Sequence, residues 1–237
     1  MMVRAIVLTV LLAVLVVHAG AREPRIAPLG EVELHRTAAT TRVPGDRCSA
    51  GRSDYYWAVG DWFTGNEVYA ALADPDDCSD CGGGWQADDV TIFLYWTTAD
   101  TCRMSAVATI REVEECGETL VPGDPIVTSD PTEVGITGTC GLWAVTIELP
   151  QDTPILTDPF FVAVEFMDPC GNLPKVVTDS GPCTEGSSWN HWGSGWQDMC
   201  DFGFPGDLSL YATLQCQGPT AVEPSSWTTI KAIYREE

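Results

Sequence analysis

Ten cysteines, every one of them beyond residue 47, restrict this chain more than any other feature. They are Cys48, Cys78, Cys81, Cys102, Cys116, Cys140, Cys170, Cys183, Cys200 and Cys216. An even set at scattered spacings reads as a disulfide framework wherever a chain folds in an oxidising compartment. The amino terminus supplies that compartment. Arg4 precedes an apolar run from Ala5 to Val17, and Ala19-Gly20-Ala21 follows as a small-residue cleavage site. The run is shorter than the roughly 20 residues that cross a bilayer, so residues 1–21 read as a secretory signal peptide. No comparable run follows. The expectation is an exported protein, extracellular or attached to the cell surface, with no transmembrane segment in the mature chain.

The spacing allows local pairings. Cys102 and Cys116 bracket an alternating segment and are expected to close a hairpin; Cys170–Cys183 and Cys200–Cys216 are the next expected pairs. Cys78-Ser-Asp-Cys81 has the spacing of half a zinc site but lacks a second pair, so a short-loop bridge or two separate bridges is expected.

Between the cysteines the pattern is that of strands. Val90 to Trp96 is rich in β-branched and aromatic residues. Met104, Ala106, Ala108 and Ile110 alternate onto one face. So do Trp143, Val145, Ile147 and Leu149, and later Leu208, Leu210, Ala212 and Leu214. Phe160 to Phe166 is apolar on both faces except at Glu165, as a central strand would be. Lys175 to Thr178 is a short strand; Glu67 to Leu72, Pro125 to Thr128 and Gly30 to Leu34 are weaker ones. Gly and Pro punctuate the intervals, and nothing in this region keeps helical periodicity for three turns. The predicted fold is all-β: a single jelly-roll-like antiparallel sandwich over 48–217, preferred to two consecutive small immunoglobulin-like units because no linker-like stretch interrupts it. A linker or flexible arm (22–47) precedes it. A tail (218–237) follows, in which Trp227 to Arg235 forms a short helix suited to docking or sorting.

Charge excludes some functions. The chain carries 34 acidic residues and a net charge of −22. From Cys48 to Gln217 its only bases are Arg52, Arg103, Arg111 and Lys175. Such a field repels phosphate backbones and anionic membrane surfaces, so nucleic acid is not an expected partner.

The residues offer little catalytic machinery. Beyond the signal, histidine occurs only at His35 and His191, and no Gly-x-Ser-x-Gly elbow accompanies them; Ser194 reads as a turn residue. Glu165 interrupts an apolar strand, but abundant acids make any carboxylate pair nonspecific, and an outward-facing position is the simpler account. Asp74, Asp76, Asp77 and Asp80 share one loop and form the candidate calcium site, against the plainer reading of a solvated acidic loop. The loop is not an EF-hand, because Ser79 and Trp85 occupy the positions that need Gly and Glu.

The densest aromatic patch is Ser188-Trp-Asn-His-Trp-Gly-Ser-Gly-Trp-Gln-Asp198. Indole faces stack on sugar rings, and Asn and Asp side chains bond hydroxyls. Trp189, Asn190, Trp192, Trp196 and Asp198 are therefore the candidate ligand-binding residues, with burial in the core as the competing account. Tyr55, Tyr56, Trp57 and Trp62 pose the same question.

Three segments resemble a group of secreted bacterial β-sandwich proteins: Pro159-Phe-Phe-Val-Ala-Val-Glu165, Ser188 to Trp196, and Phe204-Pro-Gly-Asp-Leu-Ser-Leu-Tyr-Ala212. A closing tail like Ser226-Trp-Thr-Thr-Ile-Lys-Ala-Ile-Tyr-Arg235 extends the resemblance over most of 55–235. It implies the same fold and export, and no particular activity. The expected function is a noncatalytic exported module that binds a glycan or a surface protein. A structural component of the cell surface, and a carboxylate-dependent hydrolase, are the alternatives.

Overall fold

A computed structural model describes residues 25–29, 34–36 and 47–218, except 79, 80, 137 and 194. Residues 1–21, read above as a signal peptide, most of the 22–47 arm, Asp80, Ser194 and the tail beyond 218 lie outside the described residues.

The described chain is nearly all strand. In chain order the strands are β1 (Arg25–Pro28), β2 (Leu34–Arg36), β3 (Arg47–Gly51), β4 (Trp57–Gly60) and β5 (Val68–Ala73). There follow β6 (Trp85–Trp96), β7 (Cys102–Cys116), β8 (Thr119–Thr128), β9 (Thr132–Ile136), β10 (Gly141–Glu148) and β11 (Ile155–Leu156). The last are β12 (Phe160–Met167), β13 (Lys175–Thr178), β14 (Ser188–Trp192), β15 (Gly195–Asp198) and β16 (Leu210–Cys216). Two 3-10 turns, Pro75–Asp77 and Met199–Phe202, are the only helical elements among the described residues.

These strands build two facing sheets. The first centres on β6, which pairs β10 on one side and β13 and β16 on the other. The second runs β15-β14-β5-β12-β7-β8, with β9 also on β7. Successive strands keep changing sheet: β5, β7, β12 and β14 belong to the second, β6, β10, β13 and β16 to the first. This alternation is what makes the sandwich jelly-roll-like.

Side-chain alternation decides which face meets the core. Val90, Ile92, Leu94 and Trp96 of β6 point inward against Phe160, Val162, Val164 and Phe166 of β12. Ala106, Ala108 and Ile110 of β7, and Leu210, Ala212 and Leu214 of β16, complete the same core. A one-residue slip in any of these strands would turn its apolar set toward water, so the register is strongly specified. Glu165, the lone acid of β12, falls on the outer face opposite Val68 and Val107 and is exposed.

The arm is partly sheet. β1 pairs antiparallel with β4, while β2 pairs parallel with β10, so the described parts of 22–47 extend the first sheet at its two edges. Of the short strand expected at 30–34, only Leu34 is among the described residues, and it begins the strand Leu34–Arg36.

All three expected local disulfides are wrong. The bridges are Cys48–Cys78, Cys81–Cys216, Cys102–Cys170 and Cys183–Cys200. The reason is strand length. Cys102 and Cys116 are the two ends of one continuous 15-residue strand. At about 3.3 Å per residue its ends lie far beyond the roughly 7 Å that a bridge tolerates. Cys170 and Cys183 likewise flank β13, and Cys200 and Cys216 are separated by the length of β16. The Cys-x-x-Cys pair serves two separate bridges. Cys116 and Cys140 are exposed free thiols, so the expectation of ten bridged cysteines is corrected to eight. Four bridges fit folding outside the reducing cytoplasm. No helix among the described residues is long and apolar enough to cross a membrane.

Candidate functional site

The outer face of the second sheet carries an unusual apolar cluster. Small residues Ala70 on β5 and Ala163 on β12 form its floor, flanked by Phe161 and Trp189. What covers it is the long β7–β8 hairpin. The pairing of these strands shifts register between Ile110 and Arg111, and again between Arg111 and Val113. Such irregularities bend a strand and increase its twist. Beyond them Val113, Leu120 and Val121 pack back against this cluster. Gly186 lies beside Thr119 and Leu120 of this hairpin, and its φ of +79° is a conformation that suits glycine.

Opposite the hairpin lies the tryptophan-rich stretch, folded as a second hairpin. β14 pairs β15 with Trp189 opposite Asp198, Asn190 opposite Gln197, His191 opposite Trp196 and Trp192 opposite Gly195. β14 also pairs β5, which anchors the hairpin to the sheet. Between the two hairpins is a cleft of about 600 Å³. Cys116, Thr119 and Val121 line one wall; Trp189, Trp196, Gln197, Asp198, Asp201 and Phe202 line the other, with Glu185 at its side. A cleft of this size is in the range of small-molecule sites, which run from about 300 to 1,000 Å³.

The five residues singled out from sequence are placed in different roles. Trp189 is only 7% exposed, and its indole N–H donates to the Gly186 carbonyl at 3.0 Å. Asn190 is buried and donates to the Val68 carbonyl at 3.3 Å. Asp198 accepts from the Gly186 N–H at 2.6 Å and the Cys200 N–H at 2.9 Å, capping the turn Met199–Phe202. These three hold the hairpin and turn in place. Trp192 is 43% exposed at the end of β14. Trp196 is half-buried and lines the cleft.

Trp196 is held by two neighbours. The His191 ring meets it edge-on at 5.1 Å. The Arg111 guanidinium lies 5.5 Å from its centroid, a cation–π contact. Arg111 reaches there from β7, and its Nε donates to the Gly123 carbonyl at 2.8 Å. Burial lowers the pKa of Arg111, while the nearby Asp124, Glu165 and Glu114 oppose that shift. Gln197 contributes an amide whose buried carbonyl oxygen has no protein donor.

Arg111, Glu185, Asp201 and the Thr119–Val121 wall are the residues at the cleft that sequence reasoning missed, whereas Gln197 falls within the aromatic patch it singled out. Arg111 had a signal: it is one of four bases in the domain. The hairpin wall had none, because its approach depends on irregular pairing in the middle of two strands.

The other groups are placed as follows. Asp74 Oδ1 accepts from the Asp76 N–H, capping the turn Pro75–Asp77, and Asp76 and Asp77 are exposed; Asp80 lies outside the described residues. The one set of three potential metal ligands that converges among the described residues is Cys183, Cys200 and Asp207, and two of these form a disulfide. Trp62 is buried against Phe202 and Phe204, whereas Tyr55 and Tyr56 are exposed on the other side of the sandwich.

Each buried carboxylate has partners. Glu67, 3% exposed, accepts from the N–H groups of Thr64 and Gly65 and from the hydroxyl of Tyr69. Burial still raises its pKa, and burial beside Glu67 raises that of Tyr69. Asp88 pairs with Arg47. Arg52 bridges Asp179 and Asp207, which also accept backbone N–H groups.

A family model described as "Domain of unknown function (DUF7451)" matches residues 48–214. No curated protein matches the chain at a significant level. Among solved structures, the crystal structure of the cysteine protease and lectin-like domains of Cwp84, a surface layer associated protein of Clostridium difficile, is similar at a TM-score of 0.42 and 11% identity. The match covers 73% of this chain and 36% of that one, so this chain spans about a third of its length.

Proposed function

This chain belongs to the DUF7451 family, and we propose that it is an exported, noncatalytic module whose cleft between the β7–β8 and β14–β15 hairpins binds a glycan. The observation that carries the proposal is the indole of Trp196, held in place by His191 and Arg111 and lining a cleft with both polar and apolar residues on its walls. A fixed aromatic face stacks on the apolar face of a sugar ring at little entropic cost, because the ring is already ordered. Gln197, Thr119, Glu185 and Asp201 provide amide, hydroxyl and carboxylate groups for the sugar hydroxyls.

The noncatalytic part of the reading is supported by the buried carboxylates. Glu67, Asp88, Asp179, Asp198 and Asp207 each accept bonds from a base or a backbone N–H, and so act as structural acceptors. The exported part is supported by the four disulfides and by the acidic surface.

The test is a glycan array probed with residues 22–237, followed by calorimetry on the best hits. Trp196→Ala should weaken binding by about tenfold or more, equivalent to about 1.4 kcal/mol. Trp192→Ala, at an exposed position that cannot compromise the core, should weaken the longer ligands. If the intact protein binds no glycan on the array, the proposal is wrong.

A further inference from the structure

The charged groups lining the cleft all have one sign. Glu185, Asp198 and Asp201 are its ionisable carboxylates, and no Lys, Arg or His shares the lining. Asp198 already accepts two backbone N–H groups, but Glu185 and Asp201 are exposed and have no basic partner among the described residues. Arg111 is the nearest cation named at the site. It contacts Trp196 from outside the lining and is tied to the Gly123 carbonyl. Two free carboxylates lining the same cleft as an indole are a receptor for an amino sugar: the carboxylates provide charge-assisted acceptors for the ammonium group, while Trp196 is left to stack on the sugar ring. The net charge of −22 raises the local concentration of cations and repels anions.

We propose that this cleft discriminates by charge. It takes glycans that carry free amino groups, such as de-N-acetylated glucosamine oligomers, in preference to their N-acetylated counterparts, and it rejects uronic-acid and sulfated glycans. The inference rests on the glycan-binding reading and gives it a substrate class. A lysine-rich peptide would share the ammonium group but not the ring that stacks on Trp196, so the sugar is the occupant argued here.

The experiment is calorimetry at pH 5.5 with glucosamine hexamer, N-acetylglucosamine hexamer, an oligogalacturonate of similar length and a hexalysine peptide, each at low and at high salt. The intact protein should bind the glucosamine hexamer about tenfold or more tighter than the acetylated one. High salt should shrink that ratio, and the oligogalacturonate should not bind. In the double variant Glu185→Gln with Asp201→Asn, both exposed substitutions, the ratio should fall to within about twofold. Trp196→Ala should weaken both hexamers together. The charge inference is overturned if the two hexamers bind equally, if oligogalacturonate binds, or if the preference survives the double variant, which would show only the general acidic field. Hexalysine binding as tight as the glucosamine hexamer, and lost in the same variants, would also overturn it in favour of a peptide ligand. Binding that is indifferent to Trp196→Ala would instead remove the glycan-cleft reading itself, so the two failures can be told apart.

Discussion

Replacing Asp198 by alanine separates a strut from a ligand-binding group. Asp198 is buried, caps the turn Met199–Phe202, and accepts two backbone N–H bonds, from Gly186 at 2.6 Å and Cys200 at 2.9 Å. Alanine leaves both donors without their acceptor. The Gly186 N–H bond is buried, so its orphaned donor costs about 1–3 kcal/mol. Loss of the cap costs about 1 kcal/mol more. The sum is about 2–4 kcal/mol, to be read as a fall in the urea midpoint at constant m-value. Asn keeps one acceptor oxygen, so Asp198→Asn should lose about half as much. The exposed neighbour Asp201→Asn should stay within about 0.5 kcal/mol. If Asp198→Ala costs less than about 1 kcal/mol while abolishing glycan binding, Asp198 is a ligand contact and the structural role given to it here is wrong.

The native protein should show two thiols to a disulfide exchange reagent, Cys116 and Cys140, and ten only after reduction and unfolding; ten in the folded state would contradict the framework. Removing the Cys183–Cys200 bridge by Cys183→Ser with Cys200→Ser, a loop of 17 residues, should cost about 3 kcal/mol in the same denaturation assay, and an unchanged midpoint would be inconsistent with it. Burial raises the pKa of Glu67 above its usual 4.5, so the folded chain holds that proton more tightly than the unfolded one. Stability should therefore fall as pH rises from about 4.5 through the raised folded value, with Asp179, also raised by burial, acting in the same direction. Glu67→Gln should flatten that slope in midpoints measured across the window, and an unaltered slope would show that the group responsible lies elsewhere. Trp192→Ala should change stability by less than about 0.5 kcal/mol, because its ring is exposed.

The sandwich was readable because alternation is a local signal. The inward faces of β7, β10 and β16 are the very residues whose spacing placed them on one side. β12 reads as central from its two-sided apolar content, and Glu165 takes the outward position expected of a lone acid. β3, β4 and β9 were not legible: they are short, rich in Gly or small residues, and exist because a neighbouring strand offers hydrogen bonds. Disulfide pairing was misread for a related reason, since a segment between two cysteines looks the same whether it returns as a hairpin or runs on as one strand. The tryptophan stretch was visible as a cluster, but composition could not divide it. Trp189 is buried within the apolar cluster and Trp196 only partly buried against it, a difference that depends on how the bent β7 and β8 pack back over the sheet.

The most direct test of the account is to watch the indole N–H signals of the tryptophans by nuclear magnetic resonance while a bound oligosaccharide is titrated in. The account predicts that the Trp196 signal moves with saturation, followed by the Arg111 side chain stacked on it, while those of core Trp96 and Trp85 stay still. Shifts confined to Trp57 and Trp143, on the opposite sheet, would contradict it.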